Sequence, residues 1–226
     1  MSEDAKQLID LSHSIEHGLI TYQGLPAPFI SDYLSREQSK KLYDQGTEFQ
    51  IGKIEMVANT GTYIDSPFHR FAEGPDLAEM PLEKSANLDG VVISVAEDND
   101  RSIVLEKSDL AGFKGKAVLF HTGWSRHWNT SQYFEDYPYL TRKTAVNLRD
   151  IGVTLVGIDS LNIDDNRDGA RPVHTILLEA GIPVVEHLTN LHLLPKSGCR
   201  FFATPVKVRD FGSFPVRAFA LLPAEK

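Results

Sequence analysis

The sequence predicts an α/β protein, built on a mixed β-sheet core with flanking helices. Three apolar runs rich in β-branched residues lead to this prediction, because such runs are typical of buried strands. Strand-like segments also outnumber helix-like ones, and no internal repeat is present. The 226 residues, 42% of them hydrophobic, suffice for one well-filled core, so a single domain over 1–226 is expected. The three runs are 91–95, 116–124 and 154–160.

The first part of the chain is predicted to alternate strands with loops. Residues 7–15 alternate apolar and polar side chains, as a half-buried strand does, and lead into a loop over 18–28. The charged stretch 35–45 fits a short helix or an exposed flap. Residues 49–58 alternate with period two but change register across Gly52, which predicts a bulged strand that runs directly into the segment that follows.

The later part of the chain is predicted to combine the buried strands with short helices. Gly and Pro residues break 71–82 into a loop with at most one helical turn. Apolar spacing predicts a helix over 141–150 and a second one over 174–180 that ends at Gly181. The remaining predicted elements are a short strand over 182–186, a helical turn over 188–194, and tail strands over 200–209 and 216–222 joined through Gly212 and Pro215.

Charge and composition argue against several classes of protein. The formal net charge of −8, without a cluster of Lys and Arg, argues against nucleic-acid binding. No apolar run approaches about 18 residues, so no membrane segment is expected and the protein is predicted to be cytoplasmic. The single cysteine, Cys199, excludes an intramolecular disulfide and a Cys-rich zinc site, and it is predicted to be a buried or loop thiol rather than a nucleophile.

The stretch 59–70 is unusually rich in chemical groups. It holds an amide, hydroxyls, a phenol, a carboxylate, an imidazole and a guanidinium beside a Gly and a Pro. These residues alone favour a functional site and an ordinary turn equally, because Gly, Asp and Pro also build turns. If 63–69 is extended, side-chain alternation predicts one polar face comprising Tyr63, Asp65, Pro67 and His69.

Four side chains at predicted element boundaries are gathered into one candidate site. Carboxylates and imidazoles are common ligands of divalent metals in proteins. Glu186 is the most informative, because a carboxylate at the end of an apolar strand needs a partner when it is buried. His187 is predicted to point the other way. Asp159, Asp164 and Asp165 offer further carboxylates, although an acidic loop is usually solvated. The four gathered residues are Asp65, His69, His174 and Glu186.

With these residues in place, the chain resembles the cyclase family of metal-dependent hydrolases, which includes bacterial kynurenine formamidase and isatin hydrolase. The family signature His-x-Gly-Thr-His-x-Asp-x-Pro-x-His is matched over 59–69 by Asn-Thr-Gly-Thr-Tyr-Ile-Asp-Ser-Pro-Phe-His. The later His and Glu of the family correspond to His174 and Glu186. Family-like segments also occur at 10–13, 121–124 and 157–160, so the resemblance covers nearly the whole chain.

This resemblance implies a swivelling β/β/α fold and a hydrolase acting on the C–N or C–O bond of a small amide, imide or lactone. It implies one divalent metal, zinc or manganese, on Asp65, His174 and Glu186, with His69 as general acid/base. It also implies a homodimer or homotetramer. The aromatic residues of 124–139 would form either a subunit contact or a core cluster.

Asn59 and Tyr63 depart from the family pattern, which has a histidine metal ligand at each position. Three possibilities stay open: a single metal on the remaining ligands, Asn59 and Tyr63 as weaker oxygen ligands, or no metal. Tyr63 is interpreted either as a hydrogen-bond donor to the developing oxyanion or as a packing residue that fills the altered position. The loss of two ligands also favours an alternative function, a degenerate family member that binds a small molecule or a partner without hydrolysing it.

Three arginines are candidates for holding a substrate carboxylate through a bidentate contact. The sequence does not choose among Arg70, Arg171 and Arg217.

Overall fold

The computed structural model describes residues 7–96 and 100–223, so both ends of the predicted domain lie outside the described residues. Within the described part, the strands are β1 (Leu8–Asp10), β2 (Phe29–Leu34), β3 (Ile51–Glu55), β4 (Tyr63–Asp65), β5 (Leu88–Ser94), β6 (Ser102–Ile103), β7 (Ala117–His121), β8 (Tyr139–Leu140), β9 (Leu155–Ile158), β10 (Val184–Glu186), β11 (Ser197–Phe202), β12 (Ser213–Pro215) and β13 (Phe219–Leu221). The helices are α1 (Arg36–Ser39), α2 (Arg142–Ile151) and α3 (Pro172–Glu179), with 3₁₀ turns at Pro67–His69, Leu82–Lys84, Trp124–His127, Ser131–Phe134 and Leu191–Leu193.

A nine-stranded sheet forms the centre of the protein, in the order β1-β13-β11-β5-β7-β9-β10-β4-β12. Strands β5, β7, β9 and β10 run parallel, whereas β4 joins β10 antiparallel. This mixed sheet confirms the predicted α/β class. The three apolar runs are its neighbouring central strands β5, β7 and β9, and parallel strands covered on both faces are expected to read as continuous apolar sequence.

Side chains alternate between the two faces of the sheet and build a separate apolar cluster on each. On one face, Val118 and Val156 pack with Leu148 of α2 and Leu177 of α3. On the other face, alternate residues such as Leu119 pack beneath loops and the 3₁₀ turn at Leu191–Leu193. The face that carries α3 is the one that positions the site described below.

The two longer helices are present with shifted bounds: α2 begins one residue later than predicted, at Arg142, and α3 begins two residues earlier, at Pro172. The Thr141 hydroxyl caps α2, and Gly152 ends it in the left-handed conformation. Helix α3 begins with Pro172 at its first position, and Gly181, with φ of +67°, follows its end. Among the described residues, no helix is long and apolar enough to cross a membrane.

Buried groups elsewhere settle two of the open sequence interpretations. Cys199 is fully buried, as expected for a structural thiol. Tyr133 and Tyr137 are each only 1% exposed and pack with Leu161, so the aromatic segment forms a core cluster at these positions.

The extended conformation considered for residues 63–69 holds only as far as Asp65. Strand β4 ends at Asp65, and Pro67 is the first residue of a 3₁₀ turn that ends at His69. The pyrrolidine ring fixes φ near the helical value, which favours a turn start over a longer strand. His69 nevertheless lies near Asp65, because the turn folds the chain back instead of extending it.

Two further predictions need correction because distant segments pair. The bulged strand over 49–58 is only β3, and it pairs with the unpredicted β2 in a separate ribbon with exposed side chains. Residues 56–62 then separate it from β4. The predicted link through Gly212 and Pro215 contains an additional strand, β12, at the edge of the main sheet, where a proline is tolerated.

Gly212 allows β12 to approach the Pro67–His69 turn closely. A Cβ atom at this position would lie 2.5 Å from both the amide nitrogen and the Cα of His69. Only a glycine fits there without moving backbone, so Gly212 fixes the position of His69 relative to the sheet.

Candidate active site

Strand β4 is the centre of the candidate site because it lies between β10 and β12. In the antiparallel registers, Glu186 lies opposite Tyr63 and Ser213 lies opposite Asp65. Directly opposed residues in a sheet point to the same face. The pairing therefore places two carboxylates, a phenol and a hydroxyl together on the face covered by α3.

His174, in the first turn of α3, completes a buried cluster with the two carboxylates. Its Nε2 lies 3.5 Å from Asp65 Oδ2 and 3.5 Å from Glu186 Oε1. One potential ligand atom from each of the three residues lies within 4.8 Å of the others, and all three side chains are buried. The structure thus brings together Asp65, His174 and Glu186, which the sequence places up to 121 positions apart.

The charges in this cluster depend strongly on one another. Burial and the nearby Asp65 raise the pKa of Glu186 to about 7. Burial alone would lower the pKa of His174, but Glu186, Asp164 and Asp65 outweigh it and raise that pKa to about 10. Three carboxylates therefore surround one imidazole, and a divalent cation would balance the remaining negative charge.

One atom of the cluster tests directly whether a cation fits. Asp65 Oδ1 accepts a hydrogen bond from the Ser213 hydroxyl. Asp65 Oδ2 is buried and has no hydrogen-bond partner in the described chain. A buried, unpaired carboxylate oxygen is costly in a protein interior. Its position beside His174 Nε2 and Glu186 therefore fits a metal ligand set of two oxygens and one nitrogen.

Asp164 holds His174 in the orientation that the cluster needs. Its carboxylate accepts the backbone N–H groups of Val173 and His174, at 2.7 and 3.0 Å, and lies 2.7 Å from His174 Nδ1. The same side chain thus caps α3 and fixes the imidazole with its proton on Nδ1. The raised pKa keeps the metal-free ring protonated at neutral pH, and a cation that replaces the Nε2 proton would meet a lone pair facing the two carboxylates, as is typical for metal-binding histidines.

The Tyr63 hydroxyl donates a hydrogen bond to Glu186 Oε2, while Glu186 Oε1 accepts the backbone N–H of Ile163 at 2.6 Å. Burial and the neighbouring carboxylates raise the pKa of Tyr63 well above its ordinary value, so the phenol stays protonated and can only donate to Glu186. Asn59 lines the pocket beside it. Both residues at the altered positions therefore face the site.

His69 is linked to the cluster through Ser213. The Ser213 hydroxyl donates its only hydrogen to Asp65, and its oxygen lies 2.9 Å from His69 Nδ1. It then accepts the Nδ1–H of a neutral His69, which leaves the lone pair on Nε2. The His69 ring lies 6.0 Å from the His174 ring, centroid to centroid, and lines the same pocket.

A pocket of about 330 Å³ opens beside the cluster, a size suited to a small molecule. Arg70 and Arg171 both line it. Arg217 does not, because its guanidinium binds the Asp10 carboxylate at a separate surface. The complete lining comprises Tyr22, Leu25, Asn59, Tyr63, His69, Arg70, Asn162, Gly169, Ala170, Arg171, His174 and Glu186.

A sequence profile of the Cyclase family, described as "Putative cyclase", matches residues 9–165. The chain belongs to the Cyclase family. Kynurenine formamidase from Bacillus cytotoxicus is 26% identical over 215 residues, which cover 95% of this chain and 97% of that protein. Kynurenine formamidase from Bacillus cereus strain ATCC 10987 is 28% identical over 213 residues, which cover 93% and 95% of the two chains.

Solved structures share the same cyclase-family fold. Isatin hydrolase A from Ralstonia solanacearum superposes with a TM-score of 0.82 at 21% identity, over 96% of this chain and 92% of that one. A protein from Bacillus stearothermophilus, described as a predicted metal-dependent hydrolase, gives a TM-score of 0.72 at 26% identity, over 96% and 98%. The predicted family and fold are confirmed.

Within this cyclase-family site, the sequence interpretation of the acidic loop was wrong for two residues. Asp159 and Asp164 are fully buried, and Asp159 accepts hydrogen bonds from the backbone of Thr122 and Gly123. Asp164 precedes α3 by eight positions, so the usual capping signal, a polar residue immediately before the helix, is absent. The sequence around Ser213 likewise does not indicate its role in the site, because only the pairing of β12 with β4 brings it to Asp65.

His187 does not line the pocket, in agreement with its predicted direction. It is nevertheless fully buried, with its ring 5.2 Å from that of Tyr63, centroid to centroid. Burial lowers its pKa to about 3, and burial also lowers the pKa of His13 to about 4. Both imidazoles are therefore neutral at pH 7 and do not compensate the carboxylates of the cluster.

The first prediction concerns Asp164. Asp164→Asn removes the carboxylate that caps α3 and holds the His174 ring, so we expect the free energy of unfolding to fall by about 1–3 kcal/mol in urea titrations. Asp165→Asn is the matched control. Asp165 pairs with the exposed Arg167, and an ion pair of this kind contributes little. Equal stability of the two variants would contradict the structural role of Asp164.

Proposed function

We propose that this cyclase-family chain is a metal-dependent hydrolase that cleaves the C–N or C–O bond of a small amide, imide or lactone. The buried cluster of Asp65, His174 and Glu186 beside a small-molecule pocket is the observation that carries the proposal. Membership of the family and similarity to kynurenine formamidases and isatin hydrolases support hydrolysis of a small amide or imide. We assign this activity to one domain over residues 1–226.

The cluster would hold one divalent cation through Asp65, His174 and Glu186, with the amide oxygen of Asn59 as a further ligand. Mixed oxygen and nitrogen donors suit Zn²⁺ and Mn²⁺. The structural neighbours described as metal-dependent hydrolases also support a bound metal. Such an ion, when bound, lowers the pKa of coordinated water and polarises a carbonyl group.

His69 is proposed as the general acid/base. Its Nδ1 is engaged by Ser213, so Nε2 is left to accept a proton and deliver it to the leaving nitrogen or oxygen. Ser213 also joins His69 to Asp65, whose Oδ1 lies 3.8 Å from His69 Nδ1. The pocket places this ring next to the cluster, where the scissile bond would lie.

Tyr63 is proposed to act through Glu186. Its hydroxyl donates to Glu186 and favours the charged carboxylate that a metal requires. The role of oxyanion donor stays a prediction, because the hydroxyl would have to leave Glu186 to make that contact.

Metal content and amide hydrolysis test this function together. Protein purified without chelators should contain close to one Zn²⁺ or Mn²⁺ ion per chain. It should hydrolyse formanilide or another simple aryl formamide, losing this activity after dialysis with a chelator and regaining it with added metal. His174→Ala should lose both the metal and the activity, because it removes the only nitrogen donor of the cluster.

His192→Ala is the control for this experiment, since His192 is exposed and lies outside the pocket lining. It should keep the metal and the activity. Absence of metal, together with no thermal shift on adding zinc or manganese, would contradict the hydrolase proposal. That outcome would favour the alternative suggested by Asn59 and Tyr63, a family member that binds a small molecule without hydrolysing it.

Tyr63→Phe tests the proposed role of the phenol. Loss of the hydrogen bond raises the pKa of Glu186 above about 7, so metal affinity should fall at least tenfold at pH 6.5 and recover as the pH rises. Chelator competition across this pH range is the measurement. Tyr133→Phe is the matched control, because the buried Tyr133 hydroxyl has no partner among the described residues. A turnover loss with unchanged metal affinity would instead support the oxyanion role.

We also propose a cytoplasmic homodimer or homotetramer. The β2–β3 ribbon supports assembly, because it leaves Phe29, Tyr33 and Ile54 between 47% and 75% exposed. Sedimentation equilibrium should give a mass at least twice the 25.2 kDa of the chain, and Ile54→Asp should reduce it. A monomer at micromolar concentration would contradict the assembly, and cell fractionation tests the location.

A further inference from the structure

Arg171 presents a positive charge that is rigidly held at the wall of the pocket. Its backbone is left-handed, with φ of +44°, directly before Pro172 at the start of α3. One terminal nitrogen donates to Asn162 Oδ1 at 3.1 Å, and the other donates to the Tyr22 hydroxyl at 3.2 Å. Because a guanidinium has five N–H donors, three remain after these two bonds.

No carboxylate in the described residues forms an ion pair with this guanidinium within 4.0 Å. Asp164 is near it, but three N–H groups of α3 already occupy the oxygens of that carboxylate. Arg200 and Arg217, by contrast, are paired with aspartates at the surface. A half-buried cation held by neutral partners is suited to an incoming anion.

Arg70 adds a second positive charge to the same pocket. It follows His69 directly, and its Nε donates to the Thr175 hydroxyl at 3.3 Å. This side chain is exposed and has no carboxylate partner in the part of the chain that the structure describes. The pocket thus has the buried cluster of Asp65, His174 and Glu186 on one side. Its lining also carries two guanidinium groups that form no ion pair with a carboxylate among the described residues.

Asn162 sets the distance between these two parts of the pocket. Its oxygen accepts from Arg171, and its amide nitrogen lies 3.4 Å from Glu186 Oε2. One carboxamide and two hydrogen bonds therefore span the gap, roughly 8 Å. A compact molecule of that length can reach both the cluster and the guanidinium.

We propose that Arg171, supported by Arg70, forms an anion subsite that selects small amides or imides carrying a carboxylate. The inference rests on the proposed hydrolase function and adds the substrate class to it. The carboxylate binds the free N–H donors of Arg171, and this contact places the scissile carbonyl toward Glu186 and His69. Neutral amides of the same size lack the contact.

A purely structural role for Arg171 makes a different prediction. If the guanidinium served only to hold Tyr22 and Asn162, its loss would disturb the pocket for every substrate alike. If it binds the substrate carboxylate, its loss affects anionic substrates selectively and mainly through KM. A matched pair of substrates that differ only in a carboxylate separates these possibilities.

The experiment compares 2-formamidobenzoate with formanilide on the metal-loaded protein. In each reaction water adds to the formyl carbon, the C–N bond breaks, and formate and the arylamine are released. The native protein should prefer 2-formamidobenzoate at least tenfold in kcat/KM. Arg171→Gln should lower kcat/KM for 2-formamidobenzoate by about 10- to 100-fold more than it lowers kcat/KM for formanilide, the difference expected for a lost charged hydrogen bond.

Two further variants serve as a charge-conserving comparison and as a control outside the pocket. Arg171→Lys retains the positive charge but loses the planar pair of guanidinium N–H donors. Its preference for 2-formamidobenzoate should therefore lie between those of the native protein and Arg171→Gln. Arg217→Gln removes an arginine that is paired with Asp10 outside the pocket, and it should match the native protein. Circular dichroism and the thermal midpoint check that each variant is folded. An equal loss for both substrates, or no native preference for the anion, would overturn the proposal.

Binding measured without turnover separates this inference from the proposed function. Calorimetry with benzoate and benzamide should show native binding of benzoate, and Arg171→Gln should weaken benzoate binding at least tenfold more than it weakens benzamide binding. If neither formamide is hydrolysed but this difference is found, the hydrolase proposal fails and the anion subsite stands. Equal benzoate binding to the native protein and the variant would overturn the subsite even in an active hydrolase.

Discussion

The burial of two carboxylates on one face of the sheet is the constraint on which the rest of the site depends. Asp65 and Glu186 are both fully buried, and buried charges are costly unless they are paired and hydrogen-bonded. Most of the surrounding polar groups reduce this energetic cost. Ser213, Tyr63 and the backbone of Ile163 donate to the carboxylates, and His174 lies against both. Asp65 Oδ2 accepts no hydrogen bond among the described residues and lies 3.5 Å from His174 Nε2, so it is available to a cation.

The two departures from the family signature change the polar groups around the cluster and leave its three candidate ligands in place. Tyr63 supplies a hydrogen-bond donor to Glu186 where the signature has a histidine. The cluster keeps three ligand atoms, and three protein ligands with an open position are typical of catalytic metal sites rather than structural ones. Asp164 behind His174 points the same way, since it fixes the ring whose Nε2 faces the carboxylates.

In the proposed site, the start of α3 joins substrate selection to the chemistry. Arg171 and His174 lie within four positions, so one short helix start places both the unpaired guanidinium and the imidazole of the cluster. Asn162 contacts both sides through its amide group. A small movement of this segment would therefore shift the Arg171 guanidinium and the His174 imidazole together.

The sequence by itself determined the central strands, both longer helices and the residues gathered at the site, because periodicity, caps and the family signature are local features. It also predicted that Asp65, His69, His174 and Glu186 belong together. Only the tertiary structure decided which groups support them. Ser213 meets Asp65 across 148 positions through the pairing of β12 with β4, and Asp164 caps a helix that begins eight residues later. The register of paired strands, and the path by which a loop folds back onto a helix, depend on contacts between residues distant in sequence. No local pattern therefore encodes them. The same limit explains why the turn at 67–69 and the choice of Arg171 over Arg217 became visible only in the folded chain.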